Sequence, residues 1–231
     1  MKVRYASPIQ LYVSPGPKPN GLQASQDGLW VIDQGNAKVH LLDWVSGKII
    51  KELQTATDRS SGITLDPDGN IWISSTYDCT IHKVDSSSGK TIQIYDSPGA
   101  GINATREAFA DVEELTPTGD HGLEWKDGLL FIASPPSQYI HIMDPKNWKE
   151  VDRVKVPGFR VHGIAWAQEE GMIWAADTAM GVISKIRLTD SRVYDAFRVP
   201  GNVEVHGMTI KDNELWYCDD RRPVGILKVD L

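Results

Sequence analysis

The sequence predicts an all-β fold: a β-propeller of five blades, each built from four antiparallel strands. Three observations carry this reading. A short pattern, one residue followed by Gly and an aliphatic, occurs five times: Asn20-Gly21-Leu22, Ser61-Gly62-Ile63, His121-Gly122-Leu123, His162-Gly163-Ile164 and His206-Gly207-Met208. After a polar turn each copy leads into an aromatic-bearing strand, LWVID at 29–33, IWISS at 71–75, LFIAS at 130–134, IWAAD at 173–177 and LWYCD at 215–219. The spacing of ~40–45 residues, with short strands and Gly-rich turns, is the period of propeller blades.

The elements follow in order. The pattern opens the innermost strand of each blade, and a repeat places equivalent positions around one axis. The second strand carries Trp30, Trp72, Phe131, Trp174 and Trp216, large side chains suited to packing blade against blade. Trp125 and Trp166, on the inner strands, read as further core, and Trp44 and Trp148 lie at strand-end turns. The third strands are KVHLLD at 38–43, TIHKVD at 80–85, YIHIMD at 139–144, VISKIR at 182–187 and GILKVD at 225–230. His40, His82 and His141 share one position there, toward the outside of the blade, and read as structural. The fourth strands are KIIKEL, TIQIYD, EVDRVKV and VYDAFRV.

The fifth blade has no fourth strand after residue 230. It is found at the other end of the chain, where IQLYVSPG at 9–16 matches IQIYDSPG at 92–99. The N-terminal strand therefore closes the last blade and removes an open sheet edge. One insertion, about 100–119, breaks the period. Asn103 is placed to cap a short helix over 104–115 with Phe109, Val112 and Leu115 on one stripe. The insertion joins an outer strand to the next inner strand, so it is expected over the channel mouth as a lid. Residues 1–231 read as one propeller domain.

Composition narrows the biology. A formal charge of −7 without Lys/Arg runs disfavours nucleic acid and anionic membranes as partners. No apolar stretch is long enough to span a bilayer, and the N-terminus lacks an apolar signal core. Cys79 and Cys218 fall on different blades and read as reduced. A cytoplasmic protein acting on a small molecule is expected.

The candidate chemistry lies at one channel mouth. Asn20, Ser61, His121, His162 and His206 converge there from the inner strands. The loops after the second strands add Tyr77, Ser134, Asp177, Asp220 and Arg221. Three residues beyond each leading position stand Gln23, Thr64, Glu124, Ala165 and Thr209, with Glu124 the one acid of that layer. Three imidazoles and a carboxylate suit a divalent metal such as Zn, Fe, Mn or Ni, with His121, His162 and His206 as ligands. The same groups suit acid–base catalysis without metal, because His titrates near neutrality.

The second blade, SGITLDPDGNIWISSTYDCTIHKVDSSSGK, resembles the repeats of the streptogramin (virginiamycin B) lyases and of NHL-type propellers. That resemblance implies a lactone-opening elimination that uses channel His and Glu with a magnesium ion. His121, His162, His206 and Glu124 occupy positions for those parts, although the lyases have seven blades. The segment KPNGLQASQDGLWVID at 18–33 is similar to gluconolactonase/regucalcin propellers, which implies Asn20 as a metal ligand. The expected function is a lyase abstracting a proton beside a carbonyl, with Tyr77 and Arg221 orienting the substrate. The alternatives are a metal-dependent lactonase or esterase and a non-catalytic ligand-binding propeller.

Overall fold

A computed structural model describes residues 4–103 and 116–229. None of the described residues is helical. They form twenty strands in five four-stranded antiparallel sheets arranged as a ring. The helix expected over 104–115 lies outside the described residues.

β1 (Ala6–Val13) opens the chain. Blade I follows with β2 (Pro19–Ala24), β3 (Leu29–Asp33), β4 (Lys38–Leu42) and β5 (Ile49–Gln54). Blade II is β6 (Ser60–Leu65), β7 (Ile71–Ser75), β8 (Thr80–Val84) and β9 (Thr91–Asp96). Blade III is β10 (Leu123–Lys126), β11 (Leu129–Ser134), β12 (Tyr139–Asp144) and β13 (Lys149–Lys155). Blade IV is β14 (Val161–Trp166), β15 (Met172–Asp177), β16 (Val182–Arg187) and β17 (Val193–Arg198). Blade V takes β18 (Val205–Lys211), β19 (Glu214–Asp219) and β20 (Pro223–Val229), and β1 completes it.

The closure by the N-terminal strand is the one expected, and its register sets Ile9 opposite Ile226 and Gln10 opposite Gly225. Gly225 is required there, because a Cβ would stand 1.9 Å from the Ile9 carbonyl oxygen. Two further contacts hold the seam. Ser14 N–H donates to the Arg222 carbonyl, whose guanidinium donates back to the Ser14 carbonyl. The start of the chain also reaches blade IV, where Tyr5 bridges Arg198 and Arg4 pairs with Asp195.

The core lies between blades rather than within one. Five apolar clusters each span one blade interface, and each contains one of the second-strand aromatics. Trp72 packs on Leu123 and Leu130 of the next blade; Trp216 packs on Leu22 and Leu29 across the closure. The turn tryptophans join in, Trp44 edge-on to Trp216 and Trp148 stacked on Tyr95 at 4.2 Å. This is area-driven packing, with one flat ring filling each wedge between twisted sheets. Cys79 and Cys218 are free thiols.

At the axis the inner strands approach so closely that only Gly fits. A Cβ on Gly62 would lie 2.0 Å from the His121 carbonyl oxygen. One on Gly122 would lie 2.2 Å from that of His162, and one on Gly163 2.6 Å from that of His206. Gly122 N–H donates to the His162 carbonyl at 2.9 Å, blade to blade. The space left among the five glycines is about 10 Å³, at the lower limit for one water. The glycine of the repeat is therefore a plug that gives the mouth a floor.

Candidate active site

A pocket of about 210 Å³ stands on this floor, lined by Asn20, His121, His162 and His206 from the inner-strand starts. Tyr77 and Asp220 reach it from the loops after β7 and β19, as expected from the sequence. Asn103 and Thr118, the described flanks of the insertion, also line it, and an antiparallel bridge between Gly101 and Thr118 ties those flanks together.

The three imidazoles pack in a row. The rings of His121 and His162 are 4.0 Å apart between centroids, and those of His162 and His206 are 4.6 Å apart and perpendicular. His162 is buried, and neither of its ring nitrogens bonds to a described residue; the same holds for the Asn20 Oδ1. Burial holds His162 well below the usual imidazole range, assisted by the neighbouring imidazoles and Arg160. His206 is lowered mainly by burial too, so both rings are neutral at neutral pH. The His206 Nδ1 lies 3.0 Å from the Glu204 carbonyl oxygen, which can only accept. Nδ1 therefore carries the proton and Nε2 keeps its lone pair.

The three histidines do not form the expected metal site. Their rings meet tilted and edge-on, and their nitrogens do not form a group with all ligand atoms within 4.8 Å of one another. The one group among the described residues whose ligand atoms all lie within 4.8 Å of one another is Glu204, His206 and Asp220, on blade V. Glu204 and Asp220 supply two carboxylates and His206 one imidazole. That donor set fits a divalent cation harder than an all-nitrogen site would select.

Other expected residues stand elsewhere, for local reasons. Glu124 does not line the pocket. It lies two residues beyond Gly122 of the plug, with its carboxyl buried against the Trp166 indole, and desolvation pushes it up to about 8. Asp177 is spent on backbone amides, accepting from Phe159, Arg160 and Met180. Ser134 is buried and donates to the Gly99 carbonyl. Arg221 is captured by Asp219 through two hydrogen bonds and donates a third to the Asn202 carbonyl. The Ser61 hydroxyl contacts the Arg59 carbonyl and the Gln34 amide at the floor.

Asp177 belongs to a repeated device. In blades I, IV and V an Asp ends the second strand and accepts the backbone N–H two residues before the leading position. Asp33 takes Lys18, Asp177 takes Arg160 and Asp219 takes Glu204. The side chains of Lys18, Arg59 and Arg160 line the pocket, and sequence reasoning missed all three. The signal was present in the repeat itself, where the register two before the leading residue reads Lys18, Arg59, Gly119, Arg160, Glu204.

A larger cavity of about 360 Å³ lies between blades IV and V. Its charged residues include the pairs Arg4–Asp195 and Lys185–Glu169, and its base is apolar.

No protein-family model matches the chain, and no curated protein matches it in sequence. Solved structures do match. A glutaminyl cyclase of Myxococcus xanthus superposes with a TM-score of 0.75 at 12% identity, covering 100% of this chain and 99% of that one. Virginiamycin B lyase from Staphylococcus aureus superposes with a TM-score of 0.58 at 14% identity, covering 96% and 99%. A catalytically inactive variant of that lyase, with one His replaced by Ala and crystallised with quinupristin, gives 0.56 at 17% identity over 91% and 66%. At these identities the likeness is one of fold. These neighbours are propeller enzymes.

Proposed function

We propose that this chain is a lyase acting at the propeller mouth, with His206 as the general base. In the reaction, His206 Nε2 takes a proton from carbon next to a carbonyl. The C–H electron pair becomes a C=C bond, the bond to the leaving oxygen breaks, and that oxygen departs with the pair. The imidazolium then returns its proton to the leaving oxygen, so a lactone opens without adding water. The observation that carries this reading is His206 itself, buried, neutral, with Nδ1 bound to the Glu204 carbonyl and Nε2 left as a base.

Glu204 and Asp220 would hold a divalent cation beside that ring, and the base role requires that His206 Nε2 stay uncoordinated. When bound, the cation supplies Lewis-acid polarisation of a carbonyl oxygen. His162, with no bond from a described residue, and Asn20 are placed to bind the substrate's polar groups. A second reading is favoured by the higher TM-score of the glutaminyl cyclase superposition, 0.75 against 0.58 for the lyase. In it the same base serves an intramolecular acyl transfer, cyclisation of a glutaminyl residue.

The test is product mass after incubation with quinupristin, other cyclic lactones and peptides beginning with Gln. A linear product of unchanged mass supports the lyase. A gain of one water assigns a hydrolase, and a loss of ammonia assigns the cyclase reading.

A further inference from the structure

We propose that Asp219 is the positioning residue of the site, acting through the Glu204 backbone to hold His206 in the tautomer that leaves Nε2 bare. This rests on His206 as the base, but not on which bond breaks.

The latching Asp occurs on blades I, IV and V, and the carbonyl of the residue it holds is used differently among them. In blades I and IV that carbonyl accepts the backbone N–H following the Asp. Lys18 accepts from Gln34 at 2.8 Å, and Arg160 from Thr178 at 3.1 Å. In blade V the corresponding carbonyl, that of Glu204, lies 3.0 Å from the His206 Nδ1. Glu204 therefore has its N–H on the Asp219 carboxylate at 2.8 Å and its C=O on the imidazole. Val205, the next residue, is already in β18 opposite Asp219. Both sides of Glu204 are thus pinned, and that sets the direction of its carbonyl.

Asp219 is itself braced. The latches of blades I and IV accept from backbone amides. Asp219 adds a guanidinium, accepting from Arg221 Nε at 2.9 Å and Nη2 at 2.6 Å. The same guanidinium donates to the Asn202 carbonyl at 2.8 Å, two residues before Glu204. Burial would raise the Asp219 carboxyl, but the bonds from Arg221 and the Glu204 amide outweigh it and hold the group below its usual range. It is an ionised acceptor at neutral pH. A neutral imidazole carries its proton on either nitrogen, and a carbonyl fixed at Nδ1 keeps it there. If that carbonyl swings away, the proton divides between the two nitrogens and Nε2 loses its lone pair in part of the molecules. The arrangement is an acid orienting a base, with one backbone residue between them.

The experiment records histidine ring ¹⁵N signals of the full-length protein near neutral pH, with His206 assigned by its loss in His206→Ala. Wild type is expected to show His206 protonated at Nδ1 and bare at Nε2. In Asp219→Asn the carboxylate becomes an amide that accepts only at its oxygen, and His206 is expected to shift to a mixture of both tautomers. Asp177→Asn is the control, since it weakens the equivalent latch on blade IV and is expected to leave the His206 signals in place. Arg221→Gln keeps Asp219 and removes its brace. It is expected to shift the mixture less, and it provides the reading should Asp219→Asn fail to fold. An unchanged His206 tautomer in Asp219→Asn overturns the proposal, as does one in Arg221→Gln where that is the variant that folds. An equal change in Asp177→Asn also overturns it, because it marks a general loosening of the mouth. Failure of the lyase reading shows separately, as turnover that survives His206→Ala while the tautomer contrast between Asp219→Asn and Asp177→Asn still stands.

Discussion

Two sets of three histidines occupy repeat-equivalent positions, one at the channel mouth and one on the third strands, and the fold treats them in opposite ways. Each outer histidine is buried and has a partner on its own blade. His40 meets Glu52 at 3.1 Å, His82 meets Thr80 at 3.0 Å, and His141 bonds both Ser137 and Glu150. At the mouth, His162 is equally buried, yet neither nitrogen bonds to a described residue, and His206 uses only Nδ1. A buried polar group without a partner costs about 1–3 kcal/mol. The outer set meets most of that cost with protein groups, His40 Nδ1 being left without one among the described residues. In the inner set His162 carries it at both nitrogens among the described residues, and the proposed binding role rests on that difference between positions of the same residue type, repeat origin and burial.

Exchanging the two sets for alanine gives the largest expected effect. His206→Ala should lower turnover ~10²–10⁴-fold, the range for loss of a general base, and leave urea unfolding nearly unchanged. His141→Ala should do the reverse, costing about 1–3 kcal/mol through the hydrogen bonds it removes while turnover stays near wild type. Steady-state kinetics on the substrate found by product mass, paired with denaturant curves, reads both. The comparison breaks if the inner variant loses stability and keeps its turnover.

An intermediate effect comes from the floor that separates the inner set from the rest of the axis. Gly122→Ala places a Cβ 2.2 Å from the His162 carbonyl oxygen, a backbone atom that cannot swing aside. It should cost about 3 kcal/mol or more and move His121 and His162 apart. Gly201→Ala meets open space and should stay within about 0.5 kcal/mol of wild type. Thermal melts of the two variants decide whether the glycine ring is a close-packed plug. Equal melting temperatures would mean that the inner strands have room to separate.

The repeat made the ring, the closure by β1 and the meeting of Asn20 and the three histidines legible in the sequence, because equivalence around an axis follows from periodicity alone. What periodicity does not carry is the direction of each side chain and the neighbour that captures it. Glu124 was placed beside the histidines by counting along a strand, but the glycine plug lies between them. Arg221 looked available until Asp219, two residues before it, took its guanidinium. Asp177 looked like a substrate ligand, and its carboxylate instead latches the loop that presents Arg160. Glu204 and the three lining cations are readable in the repeat, each two residues before the leading position.

The smallest expected effect concerns the buried acid on the far side of the plug, and it sharpens the contrast through pH. Glu124 is pushed up to about 8 by burial, while in the unfolded chain it ionises near 4.5. Between those values the folded protein keeps a proton that the unfolded chain has released, so this group's contribution to stability falls as pH rises through the window. Asp120, pushed up to about 7 by burial, acts in the same sense over a narrower range. His162 and His206 act in the opposite sense. Their folded values lie below the usual 6.5, so the unfolded chain binds protons first and their contribution is lost on acidification below about 6.5. Above 6.5 the slope from the two histidines fades as the unfolded chain loses its protons, and by about pH 7.5 the acids alone among these four groups set it. Glu124→Gln keeps the shape and removes the ionisation, so its melting temperature should decline less than that of wild type between pH 6.5 and 8. Turnover should be unaffected, because the residue does not touch the pocket. A parallel decline in both proteins would mean that the Glu124 carboxyl is already ionised in the folded state. A loss of turnover in the variant would return Glu124 to the reacting cluster and undo the separation that the glycine plug imposes.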